Sequence, residues 1–76
     1  MLLDAVLEAV MESWPLQLRL RTDHERLEVV LDENAIVERA SRRVEPGTLR
    51  PGQRVRIELA STIGAGRTAR RVTILD

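Results

Sequence analysis

Apolar residues recur at every second position in several stretches of this 76-residue chain. From Leu16 to Thr22 the sequence reads LQLRLRT, with Leu16, Leu18 and Leu20 alternating with Gln17, Arg19 and Arg21. Period two with one oily face is the signature of a half-buried strand. Leu27, Val29 and Leu31 repeat the pattern after Asp23-His24. A turn at Asp23-His24 sets Leu20 opposite Leu27, Leu18 opposite Val29 and Leu16 opposite Leu31. The same register brings Arg19 against Glu28 on the outer face, an opposite-charge cross-strand pair. One register satisfies both faces, so a hairpin is predicted; its turn lacks the Asn-Gly or Asp-Gly of a tight two-residue loop and admits a slightly wider one.

Val55, Ile57 and Leu59 alternate with Arg54, Arg56 and Glu58, and Val72 and Ile74 mark a last strand. The middle segment holds two Pro-Gly turns, Pro46-Gly47 and Pro51-Gly52. Ahead of them, NAIVERASRRV fits either a short helix capped by Asn34 or an extended run ending in a turn at Ala40-Ser41. The N-terminus also admits two readings. Leu3, Val6, Leu7, Val10, Met11 and Trp14 follow helical spacing, whereas Leu3, Ala5, Leu7, Ala9 and Met11 alternate with Asp4, Glu8 and Glu12. Four strands close a barrel poorly, which favours a strand first, with Trp14-Pro15 turning into the second. The alternative is an amphipathic helix. The expected strands are 3–12, 16–22, 26–32, 53–60 and 69–75, in one domain spanning 1–76.

Composition narrows the class. There are 12 basic and 12 acidic residues, no cysteine, and one Trp as the sole aromatic. Disulfides and thiolate metal sites are excluded. A domain this small buries only about 60% of its unfolded surface, so its core is thin. Every basic residue is Arg, whose planar fork suits ion-pair networks and phosphate contacts alike. The balanced charge argues against a dedicated duplex-nucleic-acid binder. No apolar run approaches the roughly 18 residues of a membrane span. MLLDAVLEAVMES is broken by Asp4 and Glu8 and lacks the positive start of a signal peptide, so a cytoplasmic location is expected.

Three strands, a middle connection and two more strands make the order of an OB-fold, a small five-stranded Greek-key barrel. AVLEAV, LQLRLRTD, LEVVLDENAIVE, LRPGQRVRIEL and ARRVTIL resemble an uncharacterised bacterial family of small OB-like domains. Leu49, Gly52, Val55 and Ile57 match its L-x-x-G-x-x-V-x-V element, and Ala69, Val72 and Ile74 its closing strand. The chain departs at Ala5, where that family usually has Gly. The resemblance implies a barrel and no catalytic residue. PGQRVRIEL is also similar, more loosely, to the closing part of bacterial translation initiation factor one, another OB barrel; the basic excess of that family is missing.

Gly64-Ala65-Gly66-Arg67-Thr68-Ala69 spells G-x-G-x-x-A. A dinucleotide site needs a helix directly after the glycines to hold the pyrophosphate. The residues after Ala69 alternate like a strand instead, so the glycines read as a turn. Arg67, Arg70 and Arg71 form one candidate anion-binding group and Arg39, Arg42 and Arg43 a second; the plainer reading is a solvated Arg face paired with Glu. Together on one side they would make a track for single-stranded nucleic acid, though that use wants stacking aromatics. Trp14, beside Pro15 at a turn, reads as a core plug or a subunit contact. His24, between Asp23 and Glu25, cannot gather a metal with neighbours the backbone points apart. Ser13, Ser41 and Ser61 lack a convergent base. Asp32-Glu33 reads as a strand end and helix start.

The expectation is therefore a non-enzymatic binding or adaptor module without cofactor or metal. It would contact a protein or an anionic polymer through the outer sheet face and the loop at 61–68. The alternative is a self-associating structural protein joined through Leu2, Val6, Val10 and Trp14.

Overall fold

The computed structural model describes residues 2–60 and 67–75. Six strands follow one another: β1 (Leu2–Met11), β2 (Gln17–Arg21), β3 (Arg26–Arg39), β4 (Arg42–Arg43), β5 (Arg54–Leu59) and β6 (Thr68–Ile74). They form one sheet in the order β2-β1-β5-β6-β3-β4, and an additional β2–β3 pairing closes it. The barrel is thus β1-β2-β3-β6-β5, with β4 an extra edge strand on β3. All its pairings are antiparallel except β3 with β6.

The β2–β3 hairpin has the register its alternation dictates. Leu18 lies opposite Val29, Leu20 opposite Leu27 and Arg19 opposite Glu28. A loop of four residues, 22–25, connects the two strands. Thr22 organises it: the side-chain oxygen accepts from the backbone N–H of His24 and Glu25 at 3.2 and 3.1 Å.

β1 is a strand, and its two conflicting periodicities have one cause. Val6 pairs with Arg21 and Leu7 with Leu20, but the next pair is Ala9 with Arg19. Glu8 is an extra residue, a β-bulge. Leu3, Ala5 and Leu7 point inward before it; after it the inward residue is Val10, packed on the core. A single three-residue step in a period-two strand mimics helical spacing. The bulge sits where β1 passes from pairing with β5 to pairing with β2.

Between β3 and β5 there is no α-helix. β3 continues to Arg39, with Val37 opposite Val72 and Ile36 opposite Arg71. The β-branched Ile36 and Val37 suit a strand that has a partner to pack on. Ala40 (φ 51°) and Ser41 (φ 66°) then turn the chain into β4. Among the described residues the one helical element is a 3-10 turn at Pro46–Thr48. β6 carries its own irregularity: Leu59 pairs with Ala69 and Glu58 with Arg71, so Arg70 is supernumerary.

The interior is wholly aliphatic. Leu7, Leu18, Leu20, Val29, Val37, Val55, Ile57 and Val72 are fully buried, and no described polar residue joins them. Each such side chain contributes about 1.5–3 kcal/mol by leaving water. Gly52 (φ 94°) adopts a conformation that L side chains rarely adopt, and its N–H donates to the Leu7 carbonyl at 2.7 Å. The Pro51-Gly52 turn thereby extends the β1–β5 ladder. Among the described residues no helix is long and apolar enough to cross a membrane.

Candidate interaction surfaces

The outer wall of the barrel is laced with cross-strand ion pairs. Arg19 meets Glu28 at 3.2 Å, and Glu8 receives Arg26 at 3.3 Å and Arg21 at 3.8 Å. Asp4 takes a two-bond contact from Arg56, which holds its carboxyl below the ordinary carboxylate range. The first arginine group takes part in the same lacing. Arg70 lies 3.2 Å from Glu58, Arg71 3.7 Å from Glu38 and Arg67 3.7 Å from Glu25. Exposed pairs of this kind contribute about 0–1 kcal/mol each and remain open to a competing anion.

Arg39, Arg42 and Arg43 sit on the β3–β4 hairpin. Arg39 is directly opposite Arg42, and Arg43 opposite Glu38. Among the described residues no carboxylate lies within ion-pair distance of any of the three. Alternation puts Arg43 and Glu38 on the outer face, and Arg71 reaches the same Glu38. The two groups therefore meet on one face through Arg43, Arg70 and Arg71. Arg39 and Arg42 turn to the other side of the hairpin, and Arg67 stands ahead of β6. Of the loop at 61–68, residues 61–66, including Gly64 and Gly66, lie outside the described residues.

The proposed subunit contact does not assemble as one stripe. Leu2 is exposed and Val6 half-buried on the outer side of β1, whereas the Glu8 bulge turns Val10 inward. Trp14 lies in the β1–β2 connection and is 77% exposed, so it is no core plug. An indole left in water in a chain with one aromatic residue asks for an explanation.

A cleft opens beside it. Leu16, Leu31, Ala35 and Pro46 line the cleft below Trp14, and the exposed Asp32 and Glu33 complete its rim. Asp32 and Glu33 thus start no helix. They fall where β3 leaves register with β6, between the Leu31–Ala69 and Ile36–Arg71 pairs. Bulges at barrel rims re-aim side chains in this way. Two open grooves share Pro46 with the cleft; Glu12 lines one and Glu45 the other. None of Glu12, Asp32, Glu33 and Glu45 is within ion-pair distance of an Arg among the described residues. The sequence signal was the Glu-rich and Asp-rich flank of each connection, but nothing in the linear order says that three connections converge.

Groups for chemistry are scattered. His24 is exposed at a hairpin tip, Ser13 donates its hydroxyl hydrogen to the Pro15 carbonyl, and the described residues hold no cluster suited to a metal ion. No protein family, curated protein or solved structure matches the chain. The small closed barrel is what the structure contributes to the resemblance noted in the sequence.

Proposed function

We propose that this chain is a non-enzymatic, OB-like binding module whose principal contact is with another protein, made at the barrel end that carries Trp14. The observation supporting this is the exposed indole over an apolar cleft whose surrounding carboxylates are uncompensated. Aromatic side chains of this kind anchor protein interfaces. A photo-crosslinking residue at position 14 tests the reading in cells producing the chain. It should form an adduct of discrete mass with another protein, and the same residue at position 28, on the ion-paired wall, should not. Adducts only between copies of this chain would replace the reading with self-association. No adduct at position 14 would remove it.

A second reading, contact with an anionic polymer, is supported by Arg43 on the outer face that also carries Arg70 and Arg71, with Arg39 and Arg42 on the other side of the same hairpin. Binding of labelled single-stranded RNA and DNA should then weaken steeply with salt. No binding at low salt would eliminate it.

A further inference from the structure

We propose that the cleft beside Trp14 receives an arginine or lysine side chain from an extended segment of a partner protein, its cation on the indole and against Asp32 and Glu33, its apolar neighbour on Leu16 and Pro46. This rests on the binding-module reading and names the chemistry of that partner.

Charge distribution argues for it. Asp4, Glu8, Glu25, Glu28, Glu38 and Glu58 each have an arginine within ion-pair distance. Among the described residues, the carboxylates left over are Asp23 at the hairpin tip and the four around Pro46: Glu12, Asp32, Glu33 and Glu45. A chain of zero net charge therefore keeps a local negative surplus at one place, next to its one aromatic ring. Two arginines border the adjoining grooves. Arg50, whose Nη1 donates to the carbonyls of Gly47 and Leu49, lines the groove of Glu12, and Arg43 lines the groove of Glu33 and Glu45, so that four carboxylates face two guanidiniums. Neither lines the cleft itself.

Size favours a side chain within the cleft itself. It holds about 50 Å³, whereas small-molecule sites run to roughly 300–1,000 Å³; the adjoining grooves, about 490 and 510 Å³, are open to solvent. The volume of the cleft takes part of the aliphatic stem of one long side chain. The stems of Arg and Lys lie along apolar surface while the charged head stays at the rim, and Trp is the best partner for a cation placed over a ring face. Complementary charge of this sort sets specificity.

The lone Trp is its own reporter. The full chain is titrated with a capped nine-residue peptide alternating Arg and Leu, and with its counterpart bearing Glu in place of Arg. The Arg peptide should shift Trp14 emission and saturate; the Glu peptide should not. The double variant Asp32→Asn, Glu33→Gln should bind the Arg peptide about tenfold or more weakly, in keeping with the loss of charge complementarity. Both side chains are exposed and, among the described residues, outside ion-pair distance of any Arg, so an unchanged unfolding midpoint confirms that the variant is folded. Equal binding of both peptides, unchanged binding by the variant, or no response to the Arg peptide overturns the inference. A protein adduct at position 14 without Arg-peptide binding overturns this inference alone and leaves the binding-module reading standing; no adduct removes both.

Discussion

Arg56 grips Asp4 with two hydrogen bonds, Nε to Oδ1 at 2.8 Å and Nη2 to Oδ2 at 3.1 Å, across 52 positions of sequence. The pair joins β5 to β1, where Asp4 and Arg56 are register partners. The hydrogen bond from Arg56 is the largest influence lowering the Asp4 pKa. A carboxylate whose folded value is depressed adds stability above its unfolded value, and that stability is lost as pH falls through the folded value. The melting temperature of the wild type should exceed that of Asp4→Asn by a small margin at neutral pH. The margin should close as pH drops through the acid carboxylate range, and shrink in molar salt. A margin independent of pH would show that Asp4 acts through something other than its charge.

Two glycines follow prolines, and only one has a conformational reason to be Gly. Gly52 has φ 94°, while Gly47 lies in a 3-10 turn with open space around its Cα. Gly52→Ala should destabilise by about 1–2 kcal/mol, the cost of holding an L residue at positive φ. Gly47→Ala should stay within about 0.5 kcal/mol of wild type. Urea midpoints at constant slope separate the two; equal effects would mean that the Pro51-Gly52 turn does not fix the β1–β5 corner.

How legible all this was depends on where period two is interrupted. Leu16 to Leu31 holds one uninterrupted hairpin, and its pairs follow directly from the alternation, down to Arg19 and Glu28. β1 reads ambiguously because Glu8 inserts a step that places Leu3, Leu7 and Val10 at helical intervals. From the alternation alone β3 ends at Asp32, for the same kind of reason. Its residues 32–35 leave the ladder with β6, and the pairing resumes at Ile36 with no alternation to announce it. The ion-paired wall was foreseeable from Arg and Glu on outward positions. The Trp14 cleft was not, because it joins the β1–β2 connection, the β3 bulge and the Pro46 turn, which only closure of the barrel brings together.

An aliphatic core this small makes single truncations expensive. Leu20 is fully buried while Leu2 is 63% exposed. Leu20→Ala should cost about 2–5 kcal/mol, from lost transfer energy and the cavity left behind. A domain of this length has only about 4–11 kcal/mol in total, so the variant should sit near the limit of folding. Leu2→Ala should change the unfolding free energy by about 0.5 kcal/mol or less. A comparable loss at Leu2 would indicate that it is covered in solution, which is the signature of self-association through β1.

Arg39 and Arg42 oppose each other across the β3–β4 hairpin, next to two residues at positive φ. Like charges directly opposite destabilise a sheet, and the reverse pairing contributes about 0.2–1 kcal/mol. Arg42→Glu should therefore raise the unfolding midpoint. If the hairpin serves an anionic polymer, the same change should weaken binding to single-stranded RNA or DNA, so that stability and affinity move in opposite directions. A gain in stability with binding unchanged would take the hairpin out of the anion-binding reading.

The field around Trp14 can be measured without any partner. Its indole is 77% exposed, so emission should already resemble that of a solvated indole and change little on unfolding. Collisional quenchers of opposite sign then report the local potential, because exposed charges act over roughly a Debye length, about 10 Å at 0.1 M salt. With Glu12, Asp32, Glu33 and Glu45 around the three depressions that share Pro46, caesium should quench Trp14 more efficiently than iodide, relative to the same pair acting on free tryptophanamide. The preference should fall stepwise as these carboxylates are replaced by their amides, and vanish in high salt. Equal quenching by the two ions would mean that the four carboxylates do not act together on the indole, and the case for a cationic side chain in the cleft would lose its electrostatic basis.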